Sequence, residues 1–143
     1  MTDAAALNDF NAQLVAEFRA SNGTVTGMFA GAPLVLVTHT GAKSGIRRTT
    51  PLVHSLDGDR VVIIASKAGA PTHPDWYRNM VVNPQVTVEL PGETYEARVV
   101  EATGDERRRL FDAQAEMLPT FKGYETKAAG REIPVLVLER IAQ

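Results

Sequence analysis

The chain contains no cysteine. That excludes disulfides, thiolate nucleophiles and cysteine-ligated zinc or iron–sulfur centres. Histidine is scarce too: His39, His54 and His73 are the whole set, and none stands at a metal-ligand spacing. No metal site is therefore expected. Apolar runs are short, far below the roughly 18 residues needed to cross a bilayer. Net charge is also small, at −2, so the chain as a whole does not attract nucleic acid, and no nucleic-acid partner is expected. The segment from Met1 to Leu7 has no basic stretch ahead of an apolar one. No signal peptide is expected on that ground, and a cytoplasmic address is the default.

What is present is the composition of a folded domain. The 143 residues are 44% hydrophobic and 22% charged, enough to close one core. Residues 3–20 place Leu7, Phe10, Leu14 and Phe18 at intervals of three and four, with Val15 beside them. That spacing predicts a helix with one apolar stripe, ended by Ser21-Asn-Gly23. Residues 24–33 read as a loop. Leu34 to Thr38 reads as a strand, and Pro51–Leu56 and Arg60–Ala65 flank Asp57-Gly-Asp59, a strong hairpin signal. Val61 to Ala65 is apolar without alternation, as in a strand buried on both faces.

A short helix is expected from His73 to Val82 with Pro74 in its first turn, stopped by Asn83-Pro84. Gln85–Leu90 and Thr94–Val100 form a second hairpin around Pro91-Gly92. Thr103-Gly-Asp-Glu106 has the pattern of a capping box, opening a helix to Met117 with Leu110, Phe111, Gln114 and Met117 on one face. After residues 119–131, read as a mobile segment, Ile133–Glu139 is the last strand. The fold class expected is α+β, mainly β: an antiparallel barrel of about six strands with peripheral helices, since closure removes exposed edges.

Charge is uneven along the chain. Lys43, Arg47, Arg48, Arg60 and Lys67 face only Asp57 and Asp59 between residues 43 and 67. Such a local excess suits an anionic ligand, or simply a solvated face. Thr40-Gly-Ala-Lys-Ser-Gly45 lacks the spacing of a nucleotide-binding P-loop and leads to Pro51 rather than a helix. It is not a nucleophile elbow either. It remains a glycine-bracketed loop whose amides, Lys43 and Ser44 suit a phosphate or carboxylate, or form an ordinary hairpin loop. Ala65-Ser-Lys-Ala-Gly69 can present amides and the Ser66 hydroxyl, or merely leave a strand. Trp76, the only tryptophan, is either a core anchor or a stacking surface. Nothing here builds a self-sufficient catalytic set, which points to chemistry carried by a cofactor.

The order of these segments resembles a known family. Leu34 to Leu52, Asp57 to Gly69, His73-Pro-Asp-Trp-Tyr-Arg-Asn79 and Asn83-Pro84 together look like the deazaflavin-dependent nitroreductases, of split β-barrel fold. The match spans roughly residues 33–139 of a chain read as one domain, 1–143, with an N-terminal helix over 1–23.

The resemblance implies coenzyme F420, a deazaflavin with a phosphate and an oligoglutamate tail. It implies that Lys43, Ser44 and Arg48 hold phosphate or tail carboxylates. Thr49, Thr50, Pro51, Leu52 and Val53 would line the groove. Ile64, Ala65, Ser66 and Lys67 would meet the ring through amides and the Ser66 hydroxyl. Trp76, Tyr77, Arg78 and Asn79 would close the other side. Leu118, Phe121 and Tyr124 would flank the acceptor, with Tyr124 and Ser66 as the catalytic candidates. The implied reaction is hydride transfer from the reduced deazaflavin to a quinone, an activated alkene or a nitroaromatic.

Two departures matter. The family's Gly-Arg-Lys-Ser/Thr-Gly pattern reads Gly41-Ala-Lys-Ser-Gly45 here, which removes one expected tail contact. In the substrate region Leu118 and Phe121 stand where some relatives have tyrosines, with only Tyr124 retained, and Val53 stands where an aromatic can occur. Nitro reduction is thereby less expected than quinone reduction. Rival readings are a deazaflavin carrier without turnover and an FMN-binding barrel. The N-terminal helix lacks a basic face, so packing on the barrel is expected over peripheral membrane contact. The resemblance is compatible with a monomer or a homodimer.

Overall fold

The computed structural model describes residues 2–25, 33–65, 74–118, 123 and 133–141, with side chains from residue 10 onward. The elements are α1 (Thr2–Ser21), β1 (Leu34–Thr40), β2 (Arg47–Asp57), β3 (Arg60–Ile64), α2 (Asp75–Val82), β4 (Gln85–Leu90), β5 (Glu93–Ala102), α3 (Gly104–Met117) and β6 (Val135–Arg140). Two hairpins turn where the sequence places glycine after Asp57 and Pro91. Gly58 and Gly92 have φ of 65° and 75°, values that a side chain disfavours.

The six strands close into an antiparallel barrel in the order β1-β2-β3-β6-β5-β4, with β4 returning to β1. Alternation sorts each strand into an inner and an outer face. Val35, Val37, Val61, Ile63, Val86, Val88, Ala97, Leu136 and Leu138 form the inner core, and Met80 of α2 joins them. The outer faces are covered by helices. Leu110, Phe111 and Ala115 of α3 pack on Val62, Ile64, Val135 and Val137. Leu14, Val15 and Phe18 of α1 pack on Leu34, Leu36 and the half-buried Val53. This is why β1, β3 and β6 read as continuous apolar runs: core lies on one face and a helix on the other. Each buried Leu, Ile or Phe contributes about 1.5–3 kcal/mol relative to exposure.

The expected barrel and helices are those observed, with local corrections. β2 begins at Arg47, not Pro51, and β1 runs on to Thr40. Among the described residues, 47–53 of β2 pair only with β1, because pairing with β3 starts at His54. A proline without an amide hydrogen is tolerated in such a one-sided stretch. Thr103 is the N-cap of α3 but makes no side-chain capping bond. Gly104, at φ 58°, turns the chain so that the capping-box geometry is not reached. Met117 is 50% exposed, off the face that buries Leu110, Phe111 and Gln114. Pro74 is the N-cap of α2 rather than part of its first turn.

Candidate functional site

The loop joining β1 to β2 is tied by its own backbone. The Gly41 amide donates to the Ile46 carbonyl at 2.9 Å and the Gly45 amide to the Gly41 carbonyl at 3.1 Å. The Ser44 hydroxyl oxygen accepts from the Ile46 amide at 3.1 Å, which leaves its hydrogen to be donated elsewhere. A Cβ on Gly41 would collide with Ser44 Oγ, so glycine there lets the serine fold back over the loop. Lys43, Ser44, Arg47 and Arg48 are exposed.

Alternation then separates the two arginines. Arg48 pairs with His39 in register, on the side of Val37 and Thr50. Arg47 lies on the opposite face, where its Nη2 donates to Thr87 Oγ1 at 2.9 Å. Thr87 in turn donates to Glu96 Oε2 at 2.6 Å. The same parity divides the expected groove residues. Thr50 and Leu52 fall on the inner side, while Thr49, Pro51 and Val53 share the outer side with Thr38, Leu36 and Leu34. Thr49 is bonded there to the Thr38 hydroxyl at 2.7 Å, and Val53 packs against α1. The five do not form one lining.

The cations of this end have no carboxylate partner among the described residues. Arg19, Arg60, Arg108, Arg109 and Arg140 form ion pairs with described carboxylates. Arg60 thus leaves the basic group expected from the sequence. It pairs with Asp57 and approaches Glu106 at 3.5 Å and Glu139 at 3.6 Å. Lys43, Arg48 and the Ser44 hydroxyl are left as the donors suited to an anion, since the Gly41, Ala42, Gly45 and Ile46 amides are already bonded.

Beside them sits a polar cluster that the sequence reading did not pick out. His39 is 2% exposed. Its Nε2 lies 2.8 Å from Thr50 Oγ1, and its Nδ1 lies 3.2 Å from Asn79 Nδ2. Asn79 Oδ1 accepts from the Ala42 amide at 2.9 Å, and Asn83 Nδ2 donates to the Thr40 carbonyl at 3.3 Å. Burial, then the charges of Arg48 and Arg47, pushes the His39 imidazolium down to about 4. The ring is neutral at physiological pH. One signal could have found it: Val35, Val37 and His39 share a strand face, which puts a histidine at the end of a core row.

Among the other expected residues, Trp76 and Tyr77 are half-buried against the inner core, which favours the anchoring role. The Tyr77 hydroxyl donates to Glu101 Oε1 at 2.8 Å. Burial and that carboxylate raise its ionisation to about 12. Arg78 is exposed, and Asn79 is half-buried in the His39 cluster. Ile64 is committed to the α3 interface. The Ala65 amide donates to the Pro134 carbonyl at 2.9 Å, so it is not offered to a ring, contrary to expectation. Leu118 is half-buried at the end of α3, its amide donating to the Gln114 carbonyl at 2.8 Å. Ser66, Lys67, Phe121 and Tyr124 lie outside the described residues. Among the described residues, no group of three metal-ligating side chains converges.

The chain resembles known proteins in sequence and in fold. Residues 12–140 match the family model described as F420H(2)-dependent quinone reductase. An F420H(2)-dependent quinone reductase of Mycobacterium tuberculosis is 36% identical over 127 residues, covering 86% of this chain and 85% of the relative. A solved F420-H2 dependent reductase (FDR-A) superposes with a TM-score of 0.70 at 38% identity, over 75% of this chain and 94% of that one. A second solved chain, described as a domain-swapped dimer, has a TM-score of 0.71 at 35% identity, over 90% and 96%. HutZ of Vibrio cholerae, at 13% identity and a TM-score of 0.58, shares the fold alone. By its sequence and its barrel, the chain belongs to the F420H(2)-dependent quinone reductase family.

Proposed function

We propose that this protein binds reduced coenzyme F420 through the β1–β2 loop and the Arg48 face of β2, and passes its hydride to a quinone-like acceptor. One observation carries the reading. Lys43 and Arg48 stand exposed beside a serine-closed glycine loop with no carboxylate partner among the described residues. A cofactor with a phosphate and a carboxylate tail has the charge such a donor set fits.

When bound, the deazaflavin supplies a two-electron hydride donor in place of a protein nucleophile. The chain's own work is to bind, orient and exclude water. Lys43 and the Ser44 hydroxyl hold anionic oxygens at the loop, and Arg48 holds them from the strand. The edge of β2 over residues 47–53 that faces away from β1 has no strand partner among the described residues, which leaves length along the strand for an extended ligand. Trp76 fixes α2 against the inner core, so the loop and the helix keep one spacing. Tyr124 and Ser66 remain the candidates to meet the acceptor and the reacting ring.

Quinones are the acceptor class favoured, with activated alkenes next. Nitroaromatics rank below them, because Val53 replaces an aromatic and packs under α1. The matched domain-swapped dimer supports a homodimer as the assembly to test. Among the described residues, no helix is long and apolar enough to cross a membrane, and α1 buries Leu14, Val15 and Phe18 on the barrel.

The test is oxidation of reduced F420 by a menaquinone analogue, an enone and a nitroaromatic, each with and without the protein. Acceleration with the quinone, lost in Tyr124→Phe, supports the reading. Binding without turnover of any acceptor would make the protein a carrier, and tighter FMN binding would move it to the flavin-using barrels.

A further inference from the structure

The bonds around His39 fix more than its charge. The Ala42 amide can only donate, so the Asn79 atom it meets at 2.9 Å is the carbonyl oxygen. That leaves the Asn79 amino group facing His39 Nδ1 at 3.2 Å. An amino group donates, so Nδ1 must accept and the ring hydrogen sits on Nε2. His39 Nε2 then donates to Thr50 Oγ1, 2.8 Å away. With its oxygen accepting from the ring, the Thr50 hydroxyl hydrogen is directed elsewhere.

We propose that His39 is a positioning residue of the anion site: held as the Nε2–H tautomer between Asn79 and Thr50, it makes the Thr50 hydroxyl a donor toward an anionic oxygen of the bound cofactor. This rests on the cofactor reading given above. The chain of donors runs one way, from the Ala42 amide through Asn79 and His39 to Thr50. It joins four elements: the basic loop, α2, β1 and β2. Protonation at Nδ1 would set two donors against each other, and turning the Asn79 amide to avoid that would break the bond to Ala42. The ring therefore has one arrangement that satisfies every partner. Cooperative polarisation along such a chain sharpens the last donor. Thr50 is half-buried beside Arg48 in register terms, two residues along the same strand face. Its hydroxyl and the guanidinium thus serve one ligand from one side. Lys43 and Ser44 approach from the loop that Ala42 belongs to.

Two measurements test this. Long-range proton–nitrogen NMR of the ligand-free protein at neutral pH should show the His39 Nε2 protonated and Nδ1 bare. The opposite tautomer, or a mixture of the two, overturns the proposal whatever the cofactor does. F420 titration of Thr50→Val, Thr50→Ser, His39→Phe and the His39→Phe/Thr50→Val double variant is the second. Thr50→Val should weaken binding roughly tenfold, while Thr50→Ser, which keeps the hydroxyl, should stay within about twofold of the parent. The double variant should be no weaker than the weaker single, since both break one chain. Normal binding by Thr50→Val, or additive losses in the double variant, overturns the proposal and leaves the cofactor reading intact. Failure of the parent to bind F420 overturns both. If His39→Phe does not fold, the tautomer and the two Thr50 variants still decide.

Discussion

Strand β2 carries positive charge at or beside both of its ends, and the two ends treat it in opposite ways. At the Asp57 end, Arg60 and Arg109 both bond to one carboxylate, with Arg109 Nη1 at 3.0 Å from Asp57 Oδ1. Glu106 and Glu139 stand close by. At the other end, Lys43 and Arg48 have no carboxylate among the described residues, and the buried neighbour there is an uncharged histidine. The difference separates ballast from site. Cations that meet carboxylates close a surface, whereas cations that meet none, beside a serine hydroxyl that keeps its hydrogen to donate, are suited to a ligand that brings the negative charge with it.

The sharpest way to break the comparison is acid. His39 protonates near 4 in the fold against 6.5 when free, so between those values the unfolded chain holds the extra proton. Stability at the Arg48 end is present above pH 6.5 and is lost as pH falls toward 4, by roughly 3 kcal/mol at most. The Asp57 end responds lower. Its bonds to Arg109 and Arg60 hold the carboxyl near 2 rather than 3.8, and its share is lost only as pH falls between those values. Burial lowers His54 as well, so urea unfolding at a series of pH values is compared between the parent and His39→Phe. The parent should show the first loss before the second, and His39→Phe should lose less between 6.5 and 4. A flat profile from 6.5 to 4 would remove His39 from the account.

Next in size are the cations themselves. Lys43→Ala and Arg48→Ala should each weaken F420 about tenfold, with the salt dependence of binding reduced and the melting temperature little changed. Asp57→Ala should do the reverse, lowering the melting temperature while leaving F420 affinity alone. Gly41→Ala comes third. The new methyl displaces Ser44 from the Ile46 amide, and binding should drop by about 1 kcal/mol in the same titration. The smallest effect is expected for Arg47→Ala, within about twofold of the parent, because Arg47 points to the Thr87 side. Equal losses from Arg47 and Arg48 would contradict the face assignment.

Much of the barrel was legible because its signals are local. The Asp57-Gly58 turn, the clean alternation of Gln85–Leu90 and the apolar runs of Val35–Val37 and Val61–Ile64 each report their own structure. The start of β2 was misplaced because Pro51 argues against a strand interior, and only the one-sided pairing with β1 shows why it is tolerated there. The capping box at Thr103 failed for a reason seated in one residue, the positive φ of Gly104. The site was legible in part. Lys43, Ser44 and Arg48 lie close in sequence, and their chemistry is plain. His39 ends a legible core row with Val35 and Val37, but Asn79 meets it from α2, forty residues on, and spacing along the chain carries no trace of that contact. The division of Thr49 to Val53 between two faces needed the register, since a slip of one residue exchanges every side chain.

The central claim is that the Lys43–Arg48 end of β2 is a deazaflavin site, and its most direct test is equilibrium titration of the protein with F420 and, separately, with FMN, followed by Trp76 and cofactor fluorescence. The account predicts saturable F420 binding, micromolar or tighter, preferred over FMN and weakened by Lys43→Ala and by Arg48→Ala. Absence of saturation with F420, or unchanged affinity in both variants, would contradict it.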